Sequence, residues 1–133
     1  MQGDREAARV DDRGIRPPRA YSLARVDAPR GVVLLKLEGE LDIAAAPALR
    51  GQIDAARAEG RAPVVLDLAQ VTFVDSAALR ELLEADERLR ADGTELILAA
   101  PRPVLARLLE LTRTTDMLTV CPTVEQALER VAG

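Results

Sequence analysis

The sequence contains no histidine and no tryptophan, and it has one cysteine, one phenylalanine, one tyrosine and one lysine. Without histidine, a Ser–His–Asp or Cys–His nucleophile, a histidine phosphorelay and a His-ligated zinc site are all excluded. With Cys121 alone no internal disulfide forms, which fits a reducing compartment. Cys121 has no basic neighbour in sequence to activate it and reads as a small core residue. Aromatic residues are 2% of the chain, so the core is aliphatic and single-stranded nucleic acid has almost nothing to stack on. A net charge of −4 weighs against a binder of phosphate backbones, so no direct nucleic-acid partner is expected. No apolar run approaches the ~20 residues that span a bilayer, and the N-terminal segment lacks the apolar stretch of a secretory signal. A cytoplasmic protein with no membrane insertion is the expectation. Neither a G-x-x-x-x-G-K phosphate loop nor a G-x-S-x-G elbow occurs.

What is present is an aliphatic chain of 133 residues, 48% hydrophobic, of the size of one domain with a real core. Residues 1–20 mix Arg5, Arg9, Arg13, Arg16 and Arg19 with Asp4, Glu6, Asp11 and Asp12 and end near Pro17-Pro18. They offer too little apolar surface to offset the entropy of ordering, which predicts a flexible tail. Beyond it the pattern alternates. Tyr21 to Val26 reads as an edge strand, and Val32 to Leu37 as a strand buried on both faces, followed by a bend or bulge at Gly39. Pro47 opens a helix that closes at Gly60. Pro63 opens a buried strand, Val64 to Leu68, and Val71 to Val74 is a short β-prone run. A helix follows from Ser76 to Gly93, with Leu79, Leu82 and Leu83 on its apolar face. Glu95 to Ala99 is a strand, Val104 to Leu111 a helix and Leu118 to Cys121 a last short strand. Thr123 then caps a helix to about Val131, with Gln126 completing a T-x-x-Q box. This order predicts an α/β domain with a largely parallel sheet.

The best candidate site is Asp75-Ser76, where strand pattern gives way at once to helix pattern. Ser is a preferred N-cap, and the ordinary reading of Ser76 is that its hydroxyl caps the helix. The other reading uses the positive end of the helix dipole, which suits an anion such as a phosphoryl group. No base that would activate the hydroxyl stands nearby in sequence. Asp42, Asp67 and Asp75 all fall near expected strand ends, so a divalent-metal pocket of a phosphoacceptor receiver is a third reading. Local turn roles explain the same acids, and a receiver wants a late lysine where this chain has only Lys36.

Two runs together resemble a known family. Glu38-Gly39-Glu40-Leu41-Asp42, followed by Ala46-Pro47-Ala48-Leu49, is similar to the G-E-L-D…A-P-x-L signature of STAS domains. The run Val64 to Leu79, VVLDLAQVTFVDSAAL, resembles the second signature, a strand followed by D-S-S/T/A-G-L. Leu96 to Leu111, Val120 and Val124 to Leu128 look like the family's usual ending. The resemblance spans about Tyr21 to Val131. It implies one STAS-like domain over residues 21–133, with a mixed, mostly parallel sheet of about five strands and about four helices.

Bacterial anti-sigma factor antagonists of this family work by partner switching. The resemblance implies a binding protein, not an enzyme, that needs no cofactor and no metal of its own. Unphosphorylated, it would bind an anti-sigma factor that is also its serine kinase; phosphorylation would end the binding and a serine phosphatase would restore it. Carried over by motif, Ser76 is the phosphoacceptor, Asp75 its acidic neighbour and Asp42 the acid of the first signature. Asp42, Asp75, Ser76, Ala77 and Ala78 form the implied partner surface. Two departures stand out. Ala78 replaces the motif's glycine, where a methyl would narrow the approach of a partner, and 111–116 lacks the glycine often found after that helix. The first departure keeps a second reading open: a STAS subunit docked on another assembly, such as a lipid-transport ATPase, without a serine switch.

Overall fold

The computed structural model describes residues 21–132; the flexible tail expected over residues 1–20 lies outside the described residues. Strands β1 (Tyr21–Val26) and β2 (Val33–Leu41) form an antiparallel pair running from Tyr21↔Gly39 to Val26↔Leu34. After β2 come α1 (Ala46–Glu59), β3 (Val64–Val74), α2 (Ser76–Ala91), β4 (Leu96–Ala99), α3 (Pro103–Leu111), β5 (Thr119–Cys121) and α4 (Val124–Ala132). The strands lie in the sheet in chain order, and every pair after the first is parallel. The mixed, mostly parallel α/β sheet expected from the alternation is the one observed.

Alternation along the strands builds two cores. Val33, Leu35, Leu37, Val64, Leu66 and Leu68 point to one face and pack with Leu49 and Ile53 of α1, Leu82 and Leu89 of α2, and Leu105 and Leu109 of α3. The alternate residues Leu34, Val65, Ile97 and Ala99 point the other way and are covered by Ala127, Val124, Leu128 and Val131 of α4. Such two-sided burial is why these strands read as near-continuous apolar runs. Cys121 is a free, buried thiol in the second core, as its sequence surroundings imply.

The sequence divides β3 where the structure does not. Val64–Leu68 and Val71–Val74 are one strand, because the ladder with β2 continues to Leu41↔Val74. Two register shifts, one on either side of Glu38-Gly39, let it do so, and Gly39 sits at φ 89°, where a side chain would be strained. β4 pairs with β3 only from Val64 to Asp67. Residues 68–74 therefore overhang β4, and at ~3.3 Å per residue the overhang carries the start of α2 roughly 20 Å beyond the β4 ladder.

The helices end where sequence signals place them. Gly60 (φ 149°) closes α1 and Gly93 (φ 82°) closes α2, whose last carbonyls at Leu89 and Arg90 accept from the Thr94 and Gly93 N–H groups. Thr123 caps α4, its Oγ1 3.0 Å from the Gln126 N–H. The buried face of α2 is Ala78, Leu82, Ala85 and Leu89; Leu79 and Leu83 are only partly buried against the same core. Glu81 is buried too, held by Arg50 at 3.1 Å and by Arg88, so its charge is compensated by two guanidiniums.

After α3, the glycine missing from the sequence has a visible cost. Arg113 takes the left-handed conformation (φ 60°, ψ 21°), and its side chain is exposed. An L-residue there costs about 1 kcal/mol. Arg113→Gly is therefore expected to stabilise the fold by roughly 0.5–1 kcal/mol, despite losing an exposed pair with Asp116 that contributes little. Urea denaturation checks this; a lower midpoint would contradict it.

Candidate functional site

Asp75, not Ser76, caps α2. Its backbone is extended and its Oδ1 accepts the Ala78 N–H at 2.9 Å, which makes Ser76 the first helical residue. The reading of Ser76 as the cap is thus corrected by one residue. β3 stays in register to Val74, so the chain turns at Asp75, a cap former as good as serine. The Ser76 side chain is exposed and has no hydrogen-bond partner among the described residues.

The second carboxylate oxygen of Asp75 reaches across to another element. Oδ2 accepts the Ile43 N–H at 3.0 Å, and the Asp75 N–H donates to the Leu41 carbonyl at 3.0 Å. Asp42 organises the same turn from within. Its Oδ1 accepts from Ala44 N–H (2.9 Å) and Ala45 N–H (3.3 Å), and its carbonyl accepts from Ala45 and Ala46. Asp42 and Asp75, which the two sequence signatures share out, therefore meet at one end of the sheet. Both spend carboxylate oxygens on backbone N–H groups.

Asp67 is not with them. It lies within β3, opposite Lys36 and Ala99, seven residues before Val74, and its Oδ1 accepts from the Ala69 N–H at 3.0 Å. The metal pocket of Asp42, Asp67 and Asp75 is thereby ruled out as a cluster. Among the described residues no three acidic, histidine or cysteine side chains are placed to hold a metal ion.

Ala78 is 1% exposed and packs in the core, while Ala77 is half-buried. Its methyl faces inward, beside Leu37, Leu41, Ala45 and Leu49, and narrows no outer approach. Ala78 thus leaves the implied partner surface, and the argument from the missing glycine loses its steric basis. Ala78→Gly, the family residue, is expected to cost about 1–2 kcal/mol in helix propensity and lost burial. The modification of Ser76 is expected to change less than twofold, as intact-mass time courses would check.

Sequence reading missed the apolar residues around Ser76. Ile43 is 72% exposed and Phe73 51%. On α3, Val104, Leu108 and Leu111 form an exposed stripe at i, i+4 and i+7, beside the buried Leu105 and Leu109. With Phe73 and Val74 they line an open groove of about 300 Å³ that includes Arg107. The i, i+4, i+7 spacing was the available signal. At the far end of α2, away from Ser76, a hydrogen bond from Arg57 holds the Asp92 carboxyl below its ordinary value. That pair's contribution is present at neutral pH and lost as pH falls through the lowered value.

The strand–Asp–Ser–helix junction, the acid-pinned turn after β2 and the sheet order together define a STAS domain. A STAS-domain family model matches residues 24–127, and the chain belongs to that family. It is similar to the anti-sigma F factor antagonist of Lysinibacillus sphaericus, 30% identical over 105 residues, which is 78% of this chain and 89% of the relative. Its structure is similar to that of an anti-sigma factor antagonist from Mycobacterium paratuberculosis, with TM-score 0.76, 30% identity and coverage of 86% and 96% of the two chains. It is also similar to Bacillus SpoIIAA in two states. The unphosphorylated form gives TM-score 0.64 at 27% identity, covering 86% and 99% of the chains; the phosphorylated form gives 0.63 at 26%, covering 84% and 99%. Among the described residues no helix is long and apolar enough to cross a membrane.

Proposed function

We propose that this chain is an anti-sigma factor antagonist switched by phosphorylation of Ser76. In this reading it acts as ligand and substrate, not as catalyst, in the cytoplasm. Unphosphorylated, it binds an anti-sigma factor that is also its serine kinase; phosphorylation releases it, and a serine phosphatase resets it. The observation that carries the reading is the division of labour at the junction. Asp75 does the capping, so the exposed Ser76 hydroxyl holds nothing in place and can be modified without breaking an observed contact.

The surroundings support the same role. Ile43 is hooked to Asp75, the serine's neighbour, and Phe73, three residues before the serine in the chain, lines a groove with the α3 stripe; exposed apolar side chains are the usual material of a protein contact. A phosphate at the first turn sits favourably with the helix dipole inside this chain, so its penalty falls on a partner packed above it. The rival reading, a docking subunit without a serine switch, drew on Ala78, and that residue is in the core.

Intact-mass analysis after incubation with ATP, magnesium and candidate anti-sigma kinases from the same source tests the proposal. One added phosphate on the wild type and none on Ser76→Ala is the expected result. Tight binding to a kinase with no phosphate on the wild type would sink the switch. Neither phosphate nor binding with any candidate would sink the antagonist reading.

A further inference from the structure

Ile43 is an unusual residue for its place. It is a β-branched apolar side chain in a tight turn, 72% exposed, and it contributes almost no burial to the fold. Yet its backbone is fixed from two directions. The Ile43 N–H is held by Asp75 from the start of α2, and the next two N–H groups, of Ala44 and Ala45, are held by Asp42. A side chain that the fold does not need is thus presented in a single place. That place adjoins Ser76, because the residue that fixes it is Ser76's own neighbour. Rigid, exposed apolar residues make efficient anchors, since little ordering entropy is lost when a partner pocket closes on them.

We infer that Ile43 is the apolar anchor of the Ser76 surface and that Asp75 is its positioning residue, holding it where an apolar pocket of the anti-sigma kinase receives it. The inference rests on the proposed function and deepens it. Asp75 then serves the interaction through Ile43 and not as a charge offered to the partner, since both its oxygens accept backbone N–H groups.

The test uses the full chain, the kinase that modifies the wild type, and the variants Ile43→Ala, Asp75→Asn and both together. Asparagine has one acceptor oxygen where aspartate has two, so it can keep the Ala78 cap or the Ile43 hook, not both. Asparagine is itself a good cap, so the hook is the one expected to go. Ile43→Ala is expected to raise KM for the chain at least tenfold, with kcat and the unfolding midpoint unchanged. Asp75→Asn is expected to raise KM similarly and to speed amide exchange at Ile43 at least tenfold, while Ala78 stays protected. The double variant is expected to be no worse than Ile43→Ala. A KM within twofold of wild type for Ile43→Ala would overturn the anchor, and additive losses in the double variant would overturn the coupling. If no kinase acts on the wild type, the proposed function is what has failed. Exchange at Ile43 still decides the positioning role, and unchanged protection in Asp75→Asn overturns it.

Discussion

Phosphoserine at position 76 is expected to weaken binding to the anti-sigma factor at least a hundredfold, about 2.7 kcal/mol. The modification adds about −1.5 to −2 charges beside the carboxylate of Asp75. In the free protein the phosphate faces water and the N-terminus of α2, so folding is little affected. Under a partner the same group loses its water next to apolar neighbours, and an unpaired charge buried at an interface costs several kcal/mol. Calorimetric titration of wild type, Ser76→Ala and phosphoserine-76 protein at two salt concentrations reads this directly. Ser76→Ala is expected to bind like wild type, since the hydroxyl has no partner within the described fold. Ser76→Glu carries less charge and is expected to lose less. Phosphorylated protein that binds within threefold of wild type would overturn the prediction.

The largest effect on stability is expected at Leu82. Its side chain is fully buried in the middle of α2, in the core shared with α1 and α3. Leu82→Ala removes three buried carbons and leaves a cavity between a helix and a sheet that cannot easily close. The expected loss is about 3 kcal/mol, within the range of buried leucine truncations. Urea unfolding followed by circular dichroism measures it. Leu111→Ala is the matched control: the same atoms go, but from a side chain 68% exposed, and the loss is expected within about 0.5 kcal/mol. Equal losses at the two positions would mean that Leu111 is buried in solution, for instance in an oligomer.

Much of this fold was legible because its punctuation is strong. Pro63 and Pro103 stand at element starts, Pro101 lies in the loop between β4 and α3, and Gly60 and Gly93 take the positive φ that stops α1 and α2. The strands, buried on both sides, leave little doubt about a parallel sheet. The cap of α2 was legible to within one residue. Asp75 and Ser76 are both good caps, and the choice between them depends on where the β2–β3 ladder ends, which is a tertiary fact. The same ladder misled the reading of Asp67. Ala69-Gln70 looks like a break, so Asp67 reads as a strand end, whereas the bulges around Gly39 carry the pairing through. The outer stripe of α3 was hidden for another reason. A nine-residue helix with apolar residues on two faces does not say which face is buried. Nor could Glu81 be placed, because its burial depends on Arg50, which comes from another helix.

The order of strands in the sheet, identical to their order in the chain, also bears on how the molecule is made. From β3 on, each strand pairs with the strand before it in the chain, across one intervening α-helix. Parallel neighbours still meet only across an intervening helix, as in Leu35↔Leu66, and mixed α/β topologies of this kind fold at rates between those of helical bundles and all-β sandwiches. The hook between Asp75 and Ile43 uses only the chain up to the start of α2, and no residue of β4, α3 or α4 takes part in it. The junction that presents Ser76 is thus built within the first two strand–helix units, and the later elements extend the sheet from its β3 edge.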